Sequence, residues 1–588
     1  MLFGEIADYY SRLEATQSRI EMVGILKDMF SRMDKEEIAK IVYMTQGVLG
    51  PSFESLQVGI AEKLAEEAIA EAAGYEKKDV VAAFRKTGDL GTAAEELSGK
   101  KRSRLLSYSK LSGEHVFDTM MGIAKASGEG SKDAKIKGMV SLLSSASPLE
   151  ARYIVRFALG TLRLGAGDAT IMEALALMAT GDRTNKDKLE RAYNVCGDLG
   201  RVAGTLTAMG MEGIENFRAE VFSPVKPALA ERLPTSEEIM ERMGGRCAVE
   251  SKYDGLRAQV HFSRKKGRVE IFSRNLERIT EMFPDISEAL FNEISADECI
   301  VEGEVIAYDE VAGTFRPFQE TIQRKRKHDI DEKSRQIPVK LFLFDVLYLD
   351  GKECLGLPYR ERRRLLEKMI RGGMVIEAAD RIIASSPKEL DSYFERSVES
   401  GLEGIVAKGI DSVYVAGARR FSWIKLKRSY KGELSDTVDL VIIGYYRGKG
   451  SRTEFGLGGL LCAVYNDATD IFESITKIGT GFTEHQMKDL WDRCRDISRK
   501  AKPARVLSQL EPDFWVDPKY VIEVRADEIT RSPTHMCGRG SDSDEGYALR
   551  FPRIVSEGIR EDKSAEDATT TEEIVSMYSE QKRTKVKD

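Results

Sequence analysis

The sequence predicts a multidomain protein with a helical N-terminal part, an α+β middle part and a small β-barrel or sandwich at the C-terminal end. Three observations support this fold class. The chain has 588 residues, too many for one hydrophobic core and enough for about three to five domains. Helical periodicity runs through roughly the first 215 residues, and short β-rich runs mixed with helical patterns follow.

The helical part shows the clearest periodicity. In LQVGIAEKLAEEAIAEAAGY the apolar residues recur every four positions, at Leu56, Ile60, Leu64 and Ala68. This spacing keeps them on one face and predicts a helix that includes all four. Thr92 and Glu95 have the T-x-x-E spacing of a capping box, so we expect Thr92 to cap a helix.

Near residue 220 the sequence pattern changes from helical periodicity to β-rich runs, which predicts a domain boundary. Three prolines interrupt the helical pattern in VFSPVKPALAERLP. Runs rich in β-branched and aromatic residues follow, such as RVEIFSR, ECIVEGEVIAYD and VKLFLFDVLYLDG, together with helical patterns such as PYRERRRLLEKMI. We predict domains over residues 1–220, 221–428 and 429–588.

The last of these domains is predicted to be mainly β. Two apolar runs flank a Gly-rich basic turn in TVDLVIIGYYRGKGSRTEFGLGGLLCAVYND, and ITKIGTGFT and YVIEVRADEI come later. This pattern is typical of a small barrel or sandwich. The polar closing stretch predicts a short helix with a frayed tail.

Composition excludes several classes of protein. Hydrophobic residues make up 42% and charged residues 31%, which is ordinary for a globular protein. No apolar run is long enough to span a membrane and the N-terminus lacks a signal-peptide pattern, so we expect a cytoplasmic protein. The seven cysteines form no C-x-x-C pair, which argues against disulfides or a thiolate zinc site and favours oxygen ligands for any metal.

Net charge is −7, so overall attraction to nucleic acid is not indicated. Three local stretches are basic nonetheless: GKKRSR (99–104), RKKGR (264–268) and QRKRKH (323–328). Each could lie along phosphate backbones or could be a solvated surface.

Lys252 is the strongest candidate for chemistry, in the pattern K-x-D-G-x-R. A lysine amine becomes nucleophilic when burial or nearby cations favour its neutral form. Gly255 permits a tight turn, and Arg257 supplies a fixed cation for a phosphate or a ribose oxygen. Taken alone, the pattern also fits a surface lysine in a β-turn.

Further candidates follow in order along the chain. Glu302 and Glu304 alternate along a predicted strand and therefore share a face, as do Lys425 and Lys427. Phe344 could stack on a nucleobase or belong to the core. The remaining candidates are Arg274, Glu403, Lys408, Arg419 and Arg420. Carboxylates, cations, an aromatic ring and one activated lysine together suit a nucleoside triphosphate, with Glu304 and Glu403 as magnesium ligands.

These motifs resemble those of a known family. KYDGLR, SRNLE, VEGEVIAYD, LFLFDVLYLDG, EGIVAK and WIKLK are similar to the ordered motifs of the covalent nucleotidyltransferases, which include ATP-dependent DNA ligases, RNA ligases and mRNA capping enzymes. GYALRFPRI and REDK resemble the C-terminal motif of DNA ligases. DLGTAAEEL and LRLGAGDATIMEALA resemble the DNA-binding domain of archaeal and eukaryotic replicative ligases. Glu302-Gly303-Glu304 departs from the Asp-Gly-Glu that is frequent in the family.

The resemblance implies an all-α DNA-binding domain, a nucleotidyltransferase domain and an OB-fold barrel. It implies that Lys252 is adenylated, with Glu250 recognising adenine and Phe344 stacking on it. Arg257, Arg274 and Glu304 would hold the ribose region, and Glu304 and Glu403 would hold Mg²⁺ or a substituting Mn²⁺. The phosphate contacts would be Arg419, Lys425 and Lys427, with Arg550 and Arg553 acting on the leaving pyrophosphate.

The implied activity is the sealing of nicks in duplex DNA, in replication, repair and recombination. AMP from ATP would pass to Lys252, then to the 5′-phosphate at the nick, before the 3′-hydroxyl displaces it. A monomer is expected, with a sliding clamp as a further partner through RSRLLSYSKLS (102–112). The alternatives are an RNA ligase or capping-type enzyme and a non-catalytic nucleic-acid-binding scaffold. NAD is less expected as the adenylate donor, because the cysteine pattern cannot build the zinc site of bacterial NAD ligases.

Overall fold

The chain forms two compact units, Met1–Lys425 and Leu426–Asp588. The structure is a computed structural model. It describes residues 1–100, 110–162, 164–233, 235–309, 314–316, 321, 324, 337–400, 402–427, 437–448, 456–479, 482–499, 501–540 and 544–583. Within these ranges, every helix is too short or too polar to cross a bilayer.

The N-terminal part of the first unit is helical, as predicted. Its described helices are α1 (Phe3–Glu14), α2 (Arg19–Phe30), α3 (Lys35–Gln46), α4 (Glu62–Ala73), α5 (Lys77–Thr87), α6 (Leu90–Ser98), α7 (Gly113–Lys125), α8 (Ser131–Ser145), α9 (Pro148–Ala158), α10 (Asp168–Thr180), α11 (Lys186–Cys196) and α12 (Leu199–Glu215). They share one hydrophobic core, which includes Phe30, Ile41 and Leu175.

The predicted helix through Leu56 and Ile60 is wrong for those two residues, because α4 begins only at Glu62. Gly59 lies between them with a φ of +66°, a left-handed conformation that ends any right-handed helix there. Ile60 is buried even so, and Leu56 packs against the same core. For Leu56 and Ile60, the four-residue spacing therefore predicted correctly that they face the core but wrongly that they are helical.

The cap of α6 also differs from the prediction. Asp89, not Thr92, is the N-cap residue, and its carboxylate accepts hydrogen bonds from the Thr92 amide and hydroxyl, both at 2.8 Å. The same carboxylate pairs with the buried Arg156 of α9 at 2.9 Å. Burial favours the neutral acid, but these bonds from Arg156 and Thr92 hold the pKa of Asp89 below its usual value. Asp89 thus joins two helices.

Asp89→Ala is expected to lower the free energy of unfolding by about 3 kcal/mol, because it removes a helix cap and leaves a buried arginine short of a partner. Thr92→Ala should cost only about 1 kcal/mol, since it removes one hydroxyl donor. Urea denaturation followed by circular dichroism measures both. Equal costs for the two variants would contradict the assignment of Asp89 as the cap.

The rest of the first unit is an α+β domain built on two sheets. Its described strands are β1 (Leu229–Arg232), β2 (Cys247–Lys252), β3 (Leu256–Ser263), β4 (Arg268–Ser273), β5 (Glu298–Asp309), β6 (Thr314–Phe315), β7 (Val339–Leu349), β8 (Lys352–Glu353), β9 (Ile376–Ala378), β10 (Arg381–Ala384), β11 (Gly404–Lys408) and β12 (Arg419–Lys427). The described helices are α13 (Ser236–Arg242), α14 (Pro284–Glu293), α15 (Tyr359–Met369) and α16 (Pro387–Glu399).

The two sheets pack face to face. One has the order β1-β12-β11-β2-β10, and the other has the order β4-β3-β5-β7-β8, with β6 beside β5 and β9 beside β7. Ile300 and Leu347 of the larger sheet share a core with Tyr414 and Trp423 from the side of the smaller one. The opposite face of the larger sheet packs on α14 and α15. This arrangement leaves a cleft between the sheets.

The second unit is a β domain whose main sheet curls. The strands are β13 (Val438–Arg447), β14 (Leu457–Asn466), β15 (Ile471–Ile478), β16 (Ser498–Arg499), β17 (Val506–Leu507), β18 (Phe514–Val516), β19 (Val521–Arg525), β20 (Glu528–Ser532), β21 (Gly546–Arg550) and β22 (Arg553–Ile559), with helices α17 (Glu484–Asp496) and α18 (Thr571–Arg583). The curled sheet has the order β16-β18-β13-β14-β15-β17, and β19 joins it through β13. The predicted fold class is confirmed.

Candidate active site

A cleft of about 170 Å³ lies in the α+β domain and collects most of the predicted site residues. Its lining residues are Leu229, Ala230, Glu250, Ser251, Lys252, Tyr253, Arg257, Arg274, Glu304, Phe344, Val406, Lys408, Trp423 and Lys425. Eight of the predicted residues are therefore brought together, although up to 175 positions separate them in the sequence: Glu250, Lys252, Arg257, Arg274, Glu304, Phe344, Lys408 and Lys425.

Lys252 is the last residue of β2, and its ammonium forms an ion pair with the Glu403 carboxylate. The Glu403 amide also donates to the Lys252 carbonyl at 3.0 Å, so backbone and side chain fix the pair together. Both side chains are about one quarter exposed, at 24% and 23%. The candidate nucleophile is thus held beside a carboxylate at the mouth of the cleft, with access to solvent.

Glu304 carries the most informative titration in the cleft. The pKa of its carboxyl group is raised to about 7, because burial, with a smaller contribution from Glu403, outweighs the opposing effects of Lys252 and Arg257. Glu304 therefore exchanges its proton near neutral pH. Its position depends on Gly255, because a Cβ there would lie 2.3 Å from the Val305 carbonyl oxygen, which requires a residue without a side chain.

Glu250 lies deeper in the cleft and is 2% exposed. Its carboxylate accepts hydrogen bonds from the Tyr359 hydroxyl at 2.5 Å and from Arg363 at 3.3 Å, and it pairs with Lys408 at 2.7 Å. Buried charge needs such partners. Tyr359 and Arg363 were not predicted as site residues, because PYRERRRLLEKMI carries only a helical signal.

Two aromatic rings line the same end of the cleft. Phe344 of β7 and Trp423 of β12 meet edge to face, with centroids 5.9 Å apart. The Lys408 ammonium lies 4.2 Å from the centroid of the Trp423 ring and donates to the Phe344 carbonyl at 3.2 Å. Trp423 was missed, although the alternation that places Lys425 on one face of the strand places Trp423 there too.

Arg257 points from β3 toward the cleft. It donates to the Ala228 carbonyl and to the Glu302 carboxylate, both at 2.8 Å. Burial opposes its charge, but Glu302, Tyr414 and Glu304 together outweigh burial and raise the pKa of the guanidinium. Its Nε is buried and has no hydrogen-bond partner among the residues that the structure describes. A ligand hydroxyl in the cleft would satisfy this donor.

Tyr253, whose role the sequence left open, is a packing residue. Its ring stacks on Phe342 with centroids 4.4 Å apart, and its hydroxyl accepts from the Asp380 amide at 3.2 Å. Burial raises the pKa of this hydroxyl. The tyrosine therefore anchors the turn after Lys252.

Other predicted site residues lie elsewhere or are not described. Lys427 is two residues beyond Lys425 on β12 and is not among the lining residues of the cleft. The Arg419 side chain is outside the described residues, although its backbone pairs with Leu229. Arg550 and Arg553 belong to the second unit, where they pair with Glu528 and Asp527, both at 2.9 Å.

In the basic stretches, some residues make contacts within the protein and others lie outside the described residues. Arg264 donates to the carbonyls of Phe291 and Ile294, both at 2.9 Å, and so fixes the end of α14. Arg324 is 2% exposed and pairs with Asp285 at 2.8 Å, so its use as a phosphate contact is not supported. The rest of QRKRKH and most of GKKRSR and RSRLLSYSKLS lie outside the described residues.

The carboxylates of the cleft fit a hard cation in part. Across the described ranges, no group of three or more His, Cys, Asp and Glu side chains could hold a metal ion. Glu304 and Glu403 nevertheless interact electrostatically beside Lys252, and Mg²⁺ usually takes only one or two carboxylates with substrate phosphates and water. The donor set therefore suits a metal that arrives with a triphosphate.

The two-sheet fold and its cleft are those of a nucleotidyltransferase domain, and sequence comparison specifies the family. "DNA ligase N terminus" matches residues 2–176, "ATP dependent DNA ligase domain" matches 227–427, and "ATP dependent DNA ligase C terminal region" matches 453–563. The chain belongs to the ATP-dependent DNA ligase family. Nick sealing, ATP use and DNA binding follow from that membership.

Relatives resemble the chain over its full length. A probable DNA ligase of Dictyoglomus turgidum is 46% identical and covers 100% of this chain and 99% of its own. A DNA ligase of Saccharolobus solfataricus is 41% identical, with 100% and 98% covered. The solved structure "Pmar-Lig_Pre" has a TM-score of 0.55 at 17% identity, covering 94% of this chain and 99% of its own, and supports the fold alone.

Proposed function

We propose that this ligase works through an AMP–lysine intermediate on Lys252. The supporting observation is the position of Lys252 in the cleft, in contact with Glu403 and beside Glu304. The uncharged Nζ attacks the α-phosphorus of ATP, a P–N bond forms, and the bond to pyrophosphate breaks. Glu403 is the nearest base for the proton that the ammonium must first lose.

The other cleft residues bind the nucleotide. Phe344 and Trp423 hold the base, and Glu250 recognises adenine from the inner end. Arg257 and Arg274 hold the ribose, and Arg257 Nε offers a buried donor for one of its hydroxyls. Lys425, with Arg419 and Lys427, contacts the phosphates, and Arg550 and Arg553 act on the pyrophosphate.

Glu304 and Glu403 are the proposed metal ligands. Bound Mg²⁺, or Mn²⁺ in its place, would offset negative charge on the phosphates. Ionised Glu304 would hold it above pH 7, since the pKa of this carboxyl is about 7.

The DNA substrate is a nicked duplex, sealed in replication, repair and recombination. Residues 1–220 would bind the duplex, 221–428 would carry the chemistry and 429–588 would complete the enzyme. Basic side chains would contact the phosphate backbone without sequence choice. A sliding clamp would bind at residues 102–112.

We expect ATP labelled at the α-phosphate to label the protein, and nicked duplex DNA to discharge this label as AMP while the strand is sealed. Binding to the nick should weaken steeply with salt because phosphate contacts release counterions. Gel assays with nicked DNA and nicked RNA, and with ATP, ADP or NAD as donor, measure these steps. Discharge on RNA alone would favour the RNA ligase alternative, and a protein that takes up no label would not be a ligase of this kind.

A further inference from the structure

The segment that connects the helical region to the α+β domain, Phe222–Ala230, is called the linker below. It runs along β3 and is held there by three side chains that alternate on one face of that strand. The Phe222 amide donates to His261 at 2.8 Å. The Val225 amide donates to the Gln259 side chain at 2.8 Å, and the Gln259 side chain donates to the Val225 carbonyl at 2.9 Å. Arg257 donates to the Ala228 carbonyl at 2.8 Å.

Behind these bonds lies a second group centred on Glu302, which is 1% exposed. Its carboxylate accepts from Gln259 at 3.3 Å, from Arg257 at 2.8 Å and from the Tyr414 hydroxyl at 2.7 Å. The same hydroxyl accepts from the Ala228 amide at 2.8 Å. A buried carboxylate with three donors fixes their orientation, so Glu302 orders the side chains that hold the linker.

On its other side the linker is fixed to α11 of the helical region. The Lys226 amide donates to the Asn194 carbonyl at 2.7 Å, and the Ser223 hydroxyl donates to the Cys196 carbonyl at 2.9 Å. Asn194 also donates to the Ala416 carbonyl at 3.0 Å, and the Lys226 ammonium lies 3.5 Å from the centroid of the Tyr193 ring. The end of α11 is therefore bound to the linker.

The end of the linker forms part of the cleft. Leu229 and Ala230 line it, as does Arg257, which holds Ala228. A displaced linker would remove one wall of the nucleotide site and the anchor of one proposed ribose contact. Conversely, a nucleotide that packs against this wall would favour the state in which the linker is bound to β3 and, through the linker, the state in which α11 is bound to it.

We propose that Gln259 and Tyr414 are positioning residues that hold the linker as a wall of the nucleotide cleft. ATP binding and the binding of the helical region to the linker through α11 then stabilise each other. This inference rests on the proposed use of the cleft for ATP. Coupling of this kind is reciprocal, so it has two independent readouts.

Tyr414→Phe tests it with little change in shape, because the ring keeps its contact with Trp423 while the hydroxyl between Glu302 and Ala228 is lost. We expect the KM for ATP in self-adenylation to rise about tenfold, the equivalent of 1.4 kcal/mol, with kcat within twofold. Tyr153→Phe is the matched control, since this buried hydroxyl also donates to a carboxylate at 2.7 Å, that of Glu14, away from the cleft. Its KM should stay unchanged.

Hydrogen–deuterium exchange gives the second readout. We expect α,β-methylene ATP, which cannot transfer AMP, to slow amide exchange at residues 193–197 and 222–230 in the wild type and in Tyr153→Phe, but much less in Tyr414→Phe. If Tyr414→Phe does not fold, Gln259→Met removes the paired bonds to Val225 at similar side-chain length.

The two proposals can fail separately. A wild type that takes no label from ATP overturns the proposed function. A wild type that takes label but shows no slowing at 193–197, or a folded variant with unchanged KM and full slowing, overturns the coupling alone.

Discussion

Lys252→Ala is expected to abolish transfer of AMP from ATP to the protein, with a loss of labelling on the order of 10³-fold or more. The reason is that alanine has no group able to form the P–N bond. Labelling with α-labelled ATP followed by denaturing gel electrophoresis measures the loss. Lys252→Arg is the matched control, because it keeps the positive charge beside Glu403, but its guanidinium is so strongly basic that it stays protonated at neutral pH and offers no free amine to attack phosphorus. It should be equally inactive in labelling.

A second substrate separates chemistry from folding. Nicked DNA that already carries AMP on its 5′-phosphate bypasses the lysine, so Lys252→Ala should still seal it at a measurable rate. Label retained by Lys252→Ala would contradict the assignment of the nucleophile. Loss of sealing on the pre-adenylated nick as well would indicate that the alanine variant is misfolded or that Lys252 has a further role.

The sequence predicted residues that are recognisable inside one motif. Lys252, Glu304 and Phe344 each lie in a short pattern whose chemistry can be read locally, and all three line the cleft. It named Lys408 but not the other two partners of Glu250, because Tyr359 and Arg363 belong to a helix more than 100 residues away whose pattern indicates only amphipathic character. Contacts between a strand and a helix distant in sequence depend on how the two pack, which local spacing does not encode.

The fold shows the same division. Strands such as β5 and β7 were predicted because β-branched and aromatic runs indicate them directly. The start of α4 was not, because apolar spacing reports which residues are buried, and Gly59 decides whether the backbone between them is helical. At α6, Asp89 caps the helix because its carboxylate also serves Arg156 of another helix. A capping-box pattern contains no information about that second partner.

Glu304→Gln is expected to lower the rate of self-adenylation about 100-fold, the low end for loss of a group that handles protons or a metal. The wild-type kcat/KM for ATP should rise with pH around 7, because the pKa of Glu304 is about 7 and only its ionised form binds a cation or accepts a proton. The rise should be absent in Glu304→Gln and present in Glu304→Asp, which still titrates. Rapid-quench labelling between pH 5.5 and 8.5 measures these profiles. An unchanged rise in the glutamine variant would assign the titration to another group.

The same substitution, Glu304→Gln, should raise the stability of the fold although it lowers the rate of self-adenylation. The pKa of Glu304 is raised in the folded chain from an ordinary 4.5 to about 7, mainly by burial, so the folded state keeps a proton that the unfolded state loses. Its contribution is fully present below pH 4.5 and is lost as pH rises through 7. Glutamine resembles the neutral acid at every pH. Glu304→Gln should therefore melt at a higher temperature than the wild type at pH 8, with a difference that shrinks toward pH 5. A variant that gains stability while losing adenylation would show that the ionised carboxylate in the cleft serves the chemistry and lowers the stability of the fold. A lower melting temperature of Glu304→Gln at pH 8 would contradict the raised pKa.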